Sequence, residues 1–200
     1  MLKRCFDLIV ACSALLVLAP VMLITALWIK ADSRGPVLFR QDRVGLNGSL
    51  FAIFKFRTMT VDPLPAHQAS ITIGADPRIT RAGAFLRKYK LDELPQFINV
   101  LRGDMSVVGP RPEVPKYVAT YLPQVRDAVL SVRPGITDLA SIEYRNESEL
   151  LGQAADPETF YLEVILPKKL DYCMQYVSTR SMWLDISIIW RTVVAIFGRR

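Results

Sequence analysis

The chain is poor in histidine and cysteine: His67 stands alone, and Cys5, Cys12 and Cys173 are the only thiols in 200 residues. The cysteines follow no metal-ligand spacing and two fall inside an apolar run. That argues against a zinc site or a disulfide framework and fits reduced thiols facing a cytosolic compartment. An aromatic ribonucleoprotein motif is missing too, so nucleic acid is not an expected partner. Internal repeats and low-complexity tracts are absent, which removes repeat architectures. His67 lies with Pro63 and Pro65 in an aperiodic stretch, Thr60 to Ala75, and reads as a loop residue rather than a catalyst. Acidic residues are outnumbered, 19 against 25 Lys and Arg, giving a net charge of +6. The excess suits an anionic partner such as lipid headgroups or nucleotide phosphates.

What the chain has in surplus is apolar surface. At 51% hydrophobic, 200 residues suit one globular domain with apolar area left over. Leu8 to Ile29 is an almost unbroken apolar run, long enough for a hydrocarbon core of about 30 Å. Lys3 and Arg4 precede it and Lys30 and Arg34 follow, so the positive-inside rule draws both ends to one face. Pro20 falls inside the run, where it removes a helix hydrogen bond. These features predict a re-entrant helix-break-helix over residues 1–32. A plain spanning helix and a signal peptide are the alternatives, and Trp28-Ile29-Lys30 reads as an interfacial anchor. Residues 33–200 form the expected membrane-associated domain. The expected class is α+β and mostly helical, with a small antiparallel β-hairpin and amphipathic interfacial helices around the site.

The hairpin is expected from Pro36–Gln41 and Leu50–Arg57 flanking the Asn47-Gly48 turn signal. Period two puts Lys55 and Arg57 on one face of the second strand, as an anion site or as charges on an exposed edge. Thr80 can cap a helix through Phe85, Leu86 and Tyr89, carrying Arg87 and Lys88 towards Asp92-Glu93. A further helix, Leu94 to Arg102, ends at Gly103, with Asp92 in capping position. Alone, the pair admits a bland reading: Asp92 caps, Glu93 complements the dipole, and the cations are surface charges. Carboxylates set among Arg87, Lys88, Lys90 and Arg111 also suit a divalent metal or a nucleophile. Arg111 lies between Pro110 and Pro112, which restrict the backbone and pre-aim its fork for phosphate; a rigid turn with an incidental arginine is the alternative. Further on, Lys116 to Val132 reads as helix, Arg133-Pro134-Gly135-Ile136-Thr137 as a turn, and Asp156-Pro157-Glu158 as a helix start. Pro167 should kink the chain near Lys168 and Lys169. Ser181 opens a last helix bearing Trp183 and Trp190, which is either interfacial or buried.

Several of these stretches together resemble a known family. They are Lys3-Arg4-Cys5-Phe6-Asp7, Lys55-Phe56-Arg57-Thr58-Met59, Leu91-Asp92-Glu93-Leu94-Pro95-Gln96, Gly103 through Pro112, and Arg133-Pro134-Gly135-Ile136-Thr137. In order and length they resemble the bacterial sugar transferases, specifically the small monotopic polyprenyl-phosphate phosphoglycosyl transferases, and the likeness covers nearly the whole chain. The resemblance implies transfer of a sugar 1-phosphate from a UDP-sugar to polyprenyl (undecaprenyl) phosphate with release of UMP. It implies Asp92 as nucleophile, Glu93 as the residue that helps hold Mg2+, and a re-entrant helix broken at Pro20. Lys55, Arg57, Arg87 and Arg111 are then the substrate-binding cations. Membrane lipid and downstream glycosyltransferases are the expected partners, at the cytoplasmic face of a bacterial inner membrane. The length suggests the catalytic unit without the extra membrane helices of larger relatives. The competing reading is a non-catalytic membrane-surface module that binds polyprenyl phosphate or nucleotide sugar. Two departures stand out. Ala19 precedes Pro20 where relatives often have Ser, and Asp138-Leu139-Ala140-Ser141 replaces a Gly-x-Ala-Gln pattern in a segment that can shape the sugar pocket.

Overall fold

The computed structural model describes residues 1–61 and 76–198, so the reading of His67 lies outside the described residues. Among the described residues the chain is mostly helical with two small sheets. Helix α1 spans Leu2–Asp32. Its most apolar 18 residues have a mean hydropathy of 2.6, and by length and composition it could cross a membrane. Pro20 lies within α1, which continues as helix on both sides of it. Both ends of α1 are moored to the rest of the protein. At the start, Arg4 donates to Val100 O at 2.8 Å, and buried Asp7 accepts from Ser106 Oγ at 2.9 Å and Val107 N at 3.0 Å. At the end, Asp32 Oδ2 accepts from Ala82 N at 3.0 Å. Between the moorings, Leu16, Val17, Leu23 and Ile24 are exposed, the opposite of what water would allow a soluble helix.

Strands β1 (Leu38–Val44) and β2 (Leu50–Phe56) pair antiparallel from Leu38 opposite Phe56 to Val44 opposite Leu50. Asn47 and Gly48 both take positive φ in the connecting turn, the conformation that an Asn-Gly step accepts most easily. Helix α2 (Arg81–Lys88) is capped by Thr80, whose side chain accepts from Gly83 N. Helix α3 (Gln96–Arg102) ends at Gly103, where φ of 94° requires a residue without Cβ.

A second sheet was not visible as such in the sequence. Strands β3 (Ser106–Val108) and β4 (Gly135–Thr137) pair in parallel, so the stretch read as a turn at Arg133–Thr137 is partly a strand. Gly109 and Gly135 make this possible: a Cβ on Gly135 would sit 2.1 Å from Gly109 N. The helix expected over Lys116 to Val132 is two, α4 (Pro115–Val118) and α5 (Pro123–Val129), each with proline in its first turn. Helices α6 (Leu139–Glu143), α7 (Glu147–Gly152) and α8 (Pro157–Phe160) follow, the last capped by Asp156. A π-helical turn at Tyr161–Ile165 leads into α9 (Leu166–Thr179), which absorbs Pro167 in its first turn. Helix α10 (Met182–Phe197) is capped by Ser181. It answers both earlier alternatives at once, burying Ile188 completely while leaving Trp183 and Trp190 largely exposed.

The core is three patches rather than one. Val44, Tyr117, Leu151 and Ile165 fill one beneath α4 and α9. Ala11, Val100, Met105 and Ile188 join α1, α3, β3 and α10 in the second. Ile29, Phe56 and Leu86 join the end of α1 to β2 and α2 in the third. Leu91 and Leu94, on either side of Asp92-Glu93, pack against this third patch, so the end of the apolar N-terminal helix is part of the scaffold of the site.

Candidate active site

Lys90 adopts a left-handed conformation at φ 56°, uncommon for a residue with a side chain. It reverses the chain into a 3-10 turn, Leu91–Glu93, that points both carboxylates inward, each residue only 8% exposed. Asp92 therefore does not cap the following helix, as the spacing had suggested. Helix α3 begins later, at Gln96, with no side-chain cap. The two carboxylates have different surroundings. Glu93 Oε1 accepts from Lys55 Nζ at 2.9 Å and from Arg111 Nη2 at 2.5 Å, and Oε2 accepts from Arg111 Nη1 at 3.3 Å. Asp92 Oδ1 is buried with no partner.

Arg111 reaches Glu93 because its turn is fixed at nearly every residue. Gly109 N donates to Thr137 O at 3.2 Å and Gly135 N to Pro110 O at 2.9 Å. Arg111 N donates to Asp138 Oδ2 at 3.1 Å, and Arg43 Nη1 to Pro112 O at 3.0 Å. Glu113, next along, accepts from Tyr161 Oη at 2.7 Å and Lys169 Nζ at 3.2 Å. Lys169 in turn reaches Glu147 at 3.1 Å. The rigid arginine turn expected from the prolines is thus held by a buried charge network behind it.

Of the predicted site residues, Asp92, Glu93, Lys55 and Arg111 come together. Arg87 approaches from α2, its Nε donating to Thr58 Oγ1 at 2.9 Å, near enough to Asp92 to influence its charge. Arg57 is not brought to the carboxylates. Although read as sharing a face with Lys55, it lies beyond the end of β2, is 4% exposed, and donates to Ser33 O at 2.7 Å and Arg34 O at 2.6 Å. It ties down the turn by which the chain leaves α1. Pro20 lies on the exposed part of α1, away from this cluster.

The electrostatics separate the two acids further. Burial raises the Asp92 carboxyl above its usual range and the charge on Glu93 adds to that, while Lys55, Lys90 and Arg87 oppose without reversing it. Burial acts on Glu93 in the same sense, but Arg111 and Lys55 outweigh it and hold Glu93 well below the usual range. The first proton taken up by the pair therefore goes to Asp92. Lys55 is lowered by burial with Glu93 opposing, and Arg111 is raised by Glu93 and stays charged. Such a site presents one carboxylate paired to two cations beside one under-solvated carboxylate with a free oxygen, a suitable nucleophile towards phosphorus.

Sequence reasoning missed Asp138, Arg43, Glu113 and Lys169, which hold the arginine turn. Asp138 was visible only as a departure from a family pattern; it is 2% exposed and also caps α6 through Ser141 N. Gln96, one turn past Asp92, was quoted only within its motif. It is 1% exposed with both amide atoms unpartnered. The described residues include no cluster of three His, Cys, Asp or Glu. Magnesium, however, often takes one or two carboxylates and completes its shell with substrate phosphate and water. Asp92 Oδ1, unpartnered, and Glu93 Oε2, with one long contact, are oxygens of the right kind.

Comparison with known proteins gives the same direction. A family model described as "Bacterial sugar transferase" matches residues 1–199. The chain is 42% identical over 196 residues to an undecaprenyl-phosphate glucose phosphotransferase of Komagataeibacter xylinus, covering 96% of this chain and 35% of that protein. It is 38% identical over 204 residues to a UDP-N-acetylgalactosamine-undecaprenyl-phosphate N-acetylgalactosaminephosphotransferase of Aeromonas hydrophila, covering 100% of this chain and 45% of the other. The chain spans less than half the length of these two relatives. With the "Exopolysaccharide production protein PSS" of Rhizobium leguminosarum bv. phaseoli it shares 39% identity over 208 residues, covering 97% of this chain and 94% of that protein.

Proposed function

The chain belongs to the bacterial sugar transferase family, and from that premise we propose that it transfers a sugar 1-phosphate from a UDP-sugar to polyprenyl (undecaprenyl) phosphate through a covalent intermediate on Asp92. Asp92 Oδ attacks the phosphorus bonded to the sugar oxygen. The bond from that phosphorus to the bridging oxygen breaks, and UMP leaves with the electron pair. An oxygen of polyprenyl phosphate then attacks the same phosphorus, forming the lipid diphosphate sugar and freeing the Asp92 carboxylate. Two anionic substrates that would repel one another visit in turn, which predicts ping-pong kinetics.

The observation that carries this reading is the asymmetry of the pair: Asp92 keeps a buried, unpartnered oxygen beside a fully clamped Glu93. Arg111, held in its turn, and Lys55 are in position to exchange part of their contact with Glu93 for donor phosphate oxygens, with Arg87 close enough to act on the charge of Asp92. Magnesium held by Glu93 with Asp92 would neutralise charge on the phosphoryl group being transferred.

The moored ends of α1 support a re-entrant anchor for residues 1–32. A spanning helix delivers its ends to opposite faces of a bilayer, whereas Arg4, Asp7 and Asp32 all bond to the same domain, residues 33–200. The catalytic domain then rests on the cytoplasmic face of the inner membrane, where UDP-sugars are found, with downstream glycosyltransferases receiving the product. The test is UMP release from a UDP-sugar panel without acceptor. Release of up to one equivalent by wild type and none by Asp92→Asn is expected. Release that requires acceptor under all conditions would refute the two-step scheme.

A further inference from the structure

Three aromatic side chains near the site are not used by the chemistry above. Trp28 stands at the C-terminal end of α1, Phe85 on the outer face of α2, and Tyr89 at the end of α2. Their rings form a chain, Trp28 to Phe85 at 5.3 Å between centroids and Phe85 to Tyr89 at 4.7 Å, both tilted. Trp28 and Phe85 remain 40% and 43% exposed, so the rings support each other without being buried. The chain of rings is continuous with the apolar stripe of α1 at one end, because Ile24, 65% exposed, lies one turn before Trp28 on the same face. At the other end it meets cations. Lys88 Nζ lies 5.5 Å from the Tyr89 ring centroid, Arg87 precedes it, and Asp92 follows Tyr89 by three residues.

We propose that Trp28, Phe85 and Tyr89 form a ledge that seats the isoprene units nearest the phosphate of the lipid acceptor, leading that phosphate to Arg87 and Asp92. This rests on the function proposed above and adds where the acceptor's tail lies. An apolar track ending in cations matches an amphiphile with an anionic head. Tilted, half-exposed rings offer flat faces to a branched unsaturated chain, and the track starts on the helix whose exposed side chains face the lipid. General bilayer anchoring explains Trp183 and Trp190 on α10, which are 80% and 68% exposed and make no ring contact among the described residues. It does not explain a row of tilted rings running from α1 along α2 to Tyr89, three residues before Asp92.

The test uses the full chain in lipid nanodiscs, with Trp190→Ala as the control for anchoring. Phe85→Ala and Trp28→Ala are each expected to raise the KM for polyprenyl phosphate about tenfold, ~1.4 kcal/mol. The KM for the UDP-sugar should stay within about twofold, and Trp190→Ala should leave the acceptor KM in place. On wild type, a polyprenyl phosphate carrying a photoreactive group in its first isoprene units is expected to label the peptide containing Phe85 and Tyr89. Unlabelled polyprenyl phosphate should compete, and inorganic phosphate or phosphatidylglycerol should not. An unchanged acceptor KM in both ledge variants, labelling elsewhere, or competition by phosphatidylglycerol would overturn the ledge. Failure of wild type to release UMP from any donor would instead overturn the function it rests on, and the ledge with it.

Discussion

Two buried charge clusters lie on either side of the Pro110-Arg111-Pro112 turn, and they are built to different rules. Behind the turn, Glu113 is met by Tyr161, Lys169 and Arg43, and Lys169 also reaches Glu147. Its carboxyl is held below the usual range because Lys169 and Arg43 outweigh the effect of burial. In front of the turn, Glu93 is paired just as fully, yet Asp92 beside it keeps an unpartnered oxygen and Gln96 an unpartnered amide. Unpaired buried polar groups cost stability, about 1–3 kcal/mol each. Among the described residues, behind the turn only Arg43 Nε lacks a partner, whereas in front of it a carboxylate oxygen and a whole side-chain amide are left open at the proposed nucleophile.

The sharpest way to break that contrast is Asp92→Asn. UMP release should fall to background while the protein becomes more stable at neutral pH. A group whose folded pKa is raised contributes stability below its unfolded pKa, and that contribution is lost as pH rises through the folded pKa. Ionised Asp92 is therefore a cost at neutral pH that Asn removes. Thermal melts would show a higher Tm, with about 2–4 °C for each kcal/mol.

On the other side of the turn, Lys169→Met should do the reverse. It takes the lysine from buried Glu113, leaving Tyr161 and Arg43, and losing one partner of a buried pair typically costs about 3–5 kcal/mol. Denaturant melts should show the loss before any assay does. A smaller effect is expected from Arg111→Lys, which keeps the charge and loses the two-pronged fork. The donor kcat/KM should fall about 10- to 100-fold, in line with ~1.5–3 kcal/mol for hydrogen bonds to charged groups. Smallest is Lys90→Gln. Lys90 lowers the Asp92 pKa, so its removal should shift the acid limb of donor cleavage to higher pH by a fraction of a unit, measured from initial rates across pH.

The same contrast bears on what was legible in the sequence. Local signals were faithful: Asn47-Gly48 formed its hairpin, Thr80, Asp156 and Ser181 capped helices, and Gly103 ended one. The carboxylates, Lys55 and Arg111 were visible because each lies in a stretch with strong turn or strand chemistry. The parallel pairing of β3 with β4 was hidden, since three-residue strands carry no readable period and their partner lies far along the chain. Arg57 looked like a partner of Lys55 by alternation, but alternation ends with the strand at Phe56. Asp92 looked like a cap because the left-handed turn at Lys90 has no sequence mark of its own. The network behind Arg111 draws Arg43, Glu113, Glu147 and Lys169 from four separate stretches, and only the folded chain brings them together.

The central claim, that Asp92 takes the sugar phosphate onto its own side chain, is tested most directly by peptide mass spectrometry. Wild-type protein would be quenched after incubation with UDP-sugar and magnesium in the absence of acceptor. The account predicts a sugar-phosphate mass on the peptide containing Asp92, discharged by adding polyprenyl phosphate. Product formed at full rate with that peptide unmodified throughout, or the added mass on another residue, would contradict it.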